Sequence, residues 1–141
     1  MTERRIVLDA NIVIRSVLGS RVPELIGRYA ATVSFLVPVG VMDEAVRNIA
    51  VVAGKRGVDA TVLFEAVNRL RPVVEIVPVE VTDPYKPAAM ARVGGRDPMD
   101  WPIVAAALAL SCPVWTEDQD FFGAGVPTWT TSNVEIYLRG D

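Results

Sequence analysis

Short apolar, β-branched runs that alternate with longer amphipathic stretches constrain the fold of this chain more than any other feature. Arg5-Ile6-Val7-Leu8-Asp9 reads as a buried strand that ends in an acid. Asn11 is then placed to cap a helix over Ile12–Leu18 that stops at Gly19. Pro23–Ala31 predicts a second helix, and Ser34–Val37 a short strand halted by Pro38. Val39–Val52 and Asp59–Leu70 predict two further helices across a turn framed by Gly54 and Gly57. The same alternation continues with a strand at Val73–Val77, a helix at Pro84–Val93 with Pro87 in its first turn, and a break at Gly94-Gly95. Pro98–Leu110 is the clearest helix, followed by a strand at Pro113–Thr116, a last strand at Thr128–Thr130 and a terminal helix over Asn133–Leu138 capped by Ser132 or Thr131. Such alternation predicts an α/β fold, a three-layer α/β/α sandwich with a mostly parallel sheet, and 141 residues are enough for one domain spanning 1–141.

Composition narrows the chemistry. No apolar stretch approaches the ~20 residues that cross a bilayer, and the start of the chain lacks the apolar run of a secretory signal, so a cytoplasmic protein is expected. With no histidine and one cysteine, Cys112, neither a His/Cys zinc site nor an internal disulfide is available, and any metal must be held by oxygen. The net charge of −3 opposes simple nucleic-acid binding through phosphates. It weighs less against a nuclease, whose clustered carboxylates are offset by the cations they hold.

In a parallel sheet, ligands gather beyond the carboxyl ends of the strands, where Asp9 and Asp118 fall. A strand-end carboxylate such as Asp9 is costly unless paired, hydrogen-bonded or metal-bound, although helix capping accounts for it equally well when taken alone. Glu44 lies within an apolar helical stripe, separated from Asp43 by about 100 degrees of helix, so only one of the two can face a shared site, and Glu44 is chosen. Asp97 and Asp100 stand three residues apart at a helix start; Asp97 suits the cap, whereas Asp100 divides between the dipole and a metal. Asp118 and Asp120 follow a strand in a segment that would otherwise be a polar turn. Together these acids make an oxygen-rich cluster suited to Mg²⁺ or Mn²⁺.

At Leu8-Asp9-Ala10-Asn11, Asp43-Glu44-Ala45, the helix opening Asp100-Trp101-Pro102-Ile103-Val104-Ala105-Ala106-Ala107, and Trp115-Thr116-Glu117-Asp118-Gln119-Asp120-Phe121, the sequence resembles the PIN-domain family. The order and spacing of the four segments cover nearly the whole chain. The resemblance implies a PIN-like fold and metal ligation by Asp9, Glu44 and Asp100, with Asp118 as the fourth acid. It also implies support from Asn11 and Thr116, with Asp120 able to share the fourth acid's duty and Asp97 outside the common pattern. The implied activity is Mg²⁺- or Mn²⁺-dependent endoribonuclease cleavage, with Arg15, Lys55, Arg56 and Arg96 as cations that would hold RNA.

Small chains of this kind look like VapC-type toxins of toxin–antitoxin pairs, which implies a cognate antitoxin and a homodimer; the apolar Val39–Val52 and Asp59–Leu70 helices either supply its interface or simply pack into the core. Two alternatives remain at this point. A haloacid-dehalogenase-type phosphotransferase would need a second Asp two residues after Asp9, where Asn11 stands. A non-catalytic PIN-like scaffold would bind RNA or protein without cutting. Trp101, Trp115 and Trp129, beside Pro102, Val114 and Pro127, are expected to pack rather than stack on bases.

Overall fold

The computed structural model describes residues 4–93 and 97–140. Strand β1 (Arg4–Leu8) buries Ile6, Val7 and Leu8 completely, so side chains on both of its faces are covered, as expected of a central parallel strand. Helices α1 (Ala10–Leu18) and α2 (Arg21–Tyr29) lead to β2 (Val33–Pro38), all six of whose residues are buried. Helices α3 (Val39–Lys55) and α4 (Ala60–Leu70) then lead to β3 (Val74–Val77). A single turn, α5 (Val79–Thr82), and a 3₁₀ turn at Asp83–Tyr85 precede α6 (Lys86–Val93). A second 3₁₀ turn, Pro98–Asp100, opens α7 (Trp101–Leu110), and β4 (Val114–Trp115), β5 (Thr128–Trp129) and α8 (Val134–Arg139) complete the chain.

The five strands form one sheet in the order β3-β2-β1-β4-β5, with every pairing parallel. Register is set by pairs such as Ile6 with Phe35, Leu8 with Trp115 and Trp115 with Trp129. The chain steps outward from β1 to β2 to β3 and then returns across the sheet to β4. Right-handed crossovers therefore put α1 to α4 on one face and α6 and α7 on the other, the expected three-layer sandwich. The reversal leaves a topological switch point between the carboxyl ends of β1 and β4, where open α/β sheets bind their ligands.

On the second face, α7 presents Ala105, Ala106 and Ala107, all buried, so its backbone can approach the sheet closely. On the first face Leu25, Ile26 and Ile12 pack into the same core as Phe35 and Trp115, whose rings lie 6.4 Å apart. Fully burying side chains of this size contributes about 1.5–3 kcal/mol each.

Several local expectations differ from the structure. Asp9, not Asn11, caps α1, accepting the Ala10 N–H at 2.7 Å, so the helix begins two residues earlier than its apolar pattern. Gly54 belongs to the last turn of α3, and Gly57 alone takes the left-handed turn, at φ +70°. Pro98 starts a 3₁₀ turn rather than the α-helix, which opens at Trp101 with Pro102 in its first turn, where no N–H is required. Neither Thr131 nor Ser132 caps α8. The Thr131 hydroxyl instead accepts from the Trp115 indole at 3.1 Å, and Asn133 at the cap position turns its carbonyl oxygen to the Thr130 N–H at 3.0 Å. The expected break at Gly94-Gly95 lies outside the described residues.

Candidate active site

Asp9 leaves the end of β1 with its side chain only 8% exposed. Its Oδ1 accepts the Ala10 N–H, and its Oδ2 accepts the Thr116 hydroxyl at 2.7 Å and the Asn11 amide at 3.1 Å. Three donors therefore hold the carboxylate, which removes the cost of an unsatisfied buried acid and fixes its rotamer. Burial nevertheless pushes its pKa above the usual carboxylate value, against the lowering effect of Thr116 and Ala10, and the negative charges of Asp118 and Glu44 add to the rise.

Thr116 follows β4, is completely buried, and serves two acids at once. Its hydroxyl donates to Asp9 and its oxygen accepts the Asp118 N–H at 2.9 Å. Asn11 spans the same gap from α1: its amide donates to Asp9, and its Oδ1 accepts the Glu117 N–H at 3.3 Å. The first and fourth strands are thus joined at the switch point by side chains as well as by the Asp9 N–H to Trp115 carbonyl bond of 3.1 Å.

Asp100 occupies the N-cap position of α7 but makes no capping hydrogen bond, and no hydrogen bond or ion pair reaches its carboxylate among the described residues. Partial burial first, then the charges of Asp9, Asp97, Asp118 and Asp120, push its pKa up to about 7. Asp97 behaves as the cap that its position predicts, accepting the Met99 N–H at 3.0 Å. Asp118 accepts the Asp120 N–H at 2.9 Å and so begins a 3₁₀ turn at Gln119–Phe121, which leaves Asp120 exposed at the rim. Glu44 and Asp43 are both exposed on α3, and of the two it is Glu44 whose charge acts on Asp9.

The sheet therefore gathers Asp9, Asp100, Asp118, Glu44, Asp97 and Asp120 into one electrostatic neighbourhood. Among the described residues, no three of the acids converge closely enough to form a ready-made cage. An open cluster of oxygen donors with uncompensated negative charge fits Mg²⁺, which keeps several of its waters and takes only one or two carboxylates directly, better than Ca²⁺, which needs six to eight oxygens.

One acid stands apart. Glu117, between Thr116 and Asp118, turns away and accepts the Thr131 N–H at 2.7 Å, tying the loop after β4 to the loop after β5. Nothing in the local sequence signals that tether. Trp101 carries the Lys86 ammonium 4.9 Å from its ring centre, Trp129 lies 6.1 Å from the Tyr137 ring, and Trp115 is fully buried, so all three tryptophans make intramolecular contacts. Burial raises the Cys112 thiol pKa to about 11, which leaves it an inert core group.

The fold and the strand-end acids together define an open α/β protein with a group of acids at its switch point. The PIN-domain family model matches residues 7–139, and the chain belongs to that family. FitAcB from Neisseria gonorrhoeae, a solved structure, is similar in fold, with a TM-score of 0.63 at 20% identity over 91% of this chain and 99% of that one. No curated protein matches the chain in sequence. No helix among the described residues is long and apolar enough to cross a membrane.

Proposed function

We propose that this PIN-domain protein is a Mg²⁺- or Mn²⁺-dependent endoribonuclease that hydrolyses RNA phosphodiester bonds, working in the cytoplasm as the toxin of a toxin–antitoxin pair. The observation that carries this reading is the buried Asp9 carboxylate, held by Thr116 and Asn11 at the switch point, with the unpaired Asp100 within electrostatic reach. A partly buried acid is ordinarily paired with a cation or a donor, and Asp100, partly buried, has neither among the described residues.

Asp9, Asp100, Glu44 and Asp118 would hold the cation. When bound, it supplies activation of water and neutralisation of charge on the leaving oxygen. The chain's own contribution is positional. Thr116 and Asn11 orient Asp9, the Thr116 oxygen sets the backbone of Asp118, and Asp97 caps the turn that carries Asp100 into α7. Without histidine, proton transfer at the site falls to a carboxylate. Asp120, exposed beside Asp118 in the chain, would share its duty.

The likeness of a small, single-domain PIN protein to VapC-type toxins supports the toxin assignment, and with it a cognate antitoxin that inserts a side chain into the acidic cleft or blocks it. Val51, Val62 and Phe64, exposed at 56%, 56% and 68% on α3 and α4, support a homodimer formed through those helices. Cleavage of a mixed RNA pool with Mg²⁺, Mn²⁺ or EDTA tests the reading. Metal-dependent cutting should be lost in Asp9→Asn and Asp100→Asn. A folded native chain that neither cuts with either metal nor binds metal by calorimetry would instead be a non-catalytic scaffold.

A further inference from the structure

A groove of about 350 Å³ between α1 and the carboxyl-terminal part of α3 is lined by Asn11, Ile14, Arg15, Leu18, Val52 and Arg56. Asn11 is the residue that bridges Asp9 to the loop after β4, so the groove opens directly beside the acidic cluster. Arg15 is one helical turn beyond Asn11 and shares its face of α1. From Asn11 to Gly19 the helix advances about 12 Å.

The two arginines lack the contacts that engage four others, as do Arg47, Arg69 and Arg71, but only these two line the groove. Arg4 and Arg5 donate to the Tyr137 and Leu110 carbonyls, and Arg21 and Arg28 are paired with Glu24 and Glu135. No hydrogen bond or ion pair reaches the guanidinium of Arg15 or Arg56 among the described residues, and both residues are exposed. On a chain whose net charge is −3, a phosphate strand needs local positive charge, and here two uncompensated arginines line a groove with Ile14, Leu18, Val52 and the Asp9 partner Asn11.

Building on the nuclease reading, we infer that this groove is the track for single-stranded RNA, with Arg15 and Arg56 on successive phosphates and Ile14, Leu18 and Val52 beneath the bases. A cationic edge beside an apolar floor is the arrangement by which proteins hold single strands without reading sequence. Of the other cations named from the sequence, Lys55 does not line the groove and Arg96 lies outside the described residues.

Fluorescence anisotropy of a labelled single-stranded RNA of mixed sequence, titrated with the full chain in EDTA, tests the track. Affinity is measured from about 50 to about 200 mM salt for the native chain, Arg15→Gln, Arg56→Gln and, as an equal-charge control away from the groove, Arg71→Gln. Each groove substitution should weaken binding and flatten the slope of log affinity against log salt by about 0.7, with Arg71→Gln close to native. Equal effects from all three would reduce the result to net charge and overturn the track. Native metal-dependent cleavage with unchanged slopes in both groove variants would overturn the track while leaving the nuclease standing, whereas a native chain that neither binds nor cuts RNA removes both. Displacement of RNA by polyglutamate at lower charge equivalents would assign the groove to an acidic protein partner instead.

Discussion

The Thr116 hydroxyl donates to Asp9 across 2.7 Å, joining residues 107 positions apart in the chain at the one place where the sheet reverses its winding. Because the same oxygen accepts the Asp118 N–H, a single side chain sets two of the candidate ligands. Thr116→Val keeps the shape, removes one donor from a buried carboxylate and leaves a backbone N–H without its acceptor. It should destabilise the protein by about 1–3 kcal/mol in urea unfolding and depress cleavage. Thr116→Ser should restore both.

Proton linkage at the acidic cluster predicts opposite pH trends with and without metal. The folded pKa of Asp9 is raised and that of Asp100 lies near 7, both above the unfolded value of 3.8, so the metal-free folded chain binds more protons than the unfolded chain in that interval. Metal-free stability should therefore fall as pH rises from about 4 to about 7 and level off above it. Cation binding displaces those protons, so the Mg²⁺-induced rise in melting temperature should be small at pH 5 and largest above pH 7. In the metal-free protein Asp100→Asn should melt higher than the native chain at pH 8 and should lose the response to Mg²⁺. A Mg²⁺ shift independent of pH would refute this account.

Glu135 on α8 gathers Arg21, Arg28 and Tyr29 of α2, at 3.1, 2.8 and 2.6 Å, fastening the last helix to the second. The Tyr29 hydroxyl and then the Arg28 guanidinium hold its pKa below the usual value, so its contribution is present above the unfolded pKa and is lost as pH falls through the folded one. Glu135→Gln should lower the thermal midpoint at pH 7, and the difference from native should shrink in high salt and in acid. Metal-dependent cleavage should persist.

The alanines of α7 set its distance from the sheet. Ala106→Leu forces extra volume into a completely buried position and should cost about 1–3 kcal/mol of stability, read as a lower denaturant midpoint at unchanged slope.

The layered fold was legible because its signals are local and periodic. Ile6, Val7 and Leu8 form an apolar run that can only be a covered strand, and the alanine-rich segment after Asp100 can only be a closely packed helix. Departures occurred where one residue answers to two demands. Asp9 serves as helix cap and as buried acid together, so weighing the two as alternatives misplaced the start of α1. The turn at Val79–Thr82 is too short to display a period in the sequence. At the site, residue types marked Asp9, Glu44, Asp100 and Asp118 as candidates, but the bonds that arrange them come from distant segments. The tether from Glu117 to Thr131 depends on β4 and β5 lying side by side, a fact that no local pattern encodes.

The strand order also governs when this chain acquires its chemistry. Asp9 is synthesised well before Thr116, yet its carboxylate gains its Thr116 donor only after β4 has been made and has slotted in beside β1. A nascent chain still emerging from the ribosome carries Asp9 and Glu44 without Thr116 or Asp118, and so has no assembled centre. Whatever chemistry the acids carry is therefore withheld until β4 has joined the sheet.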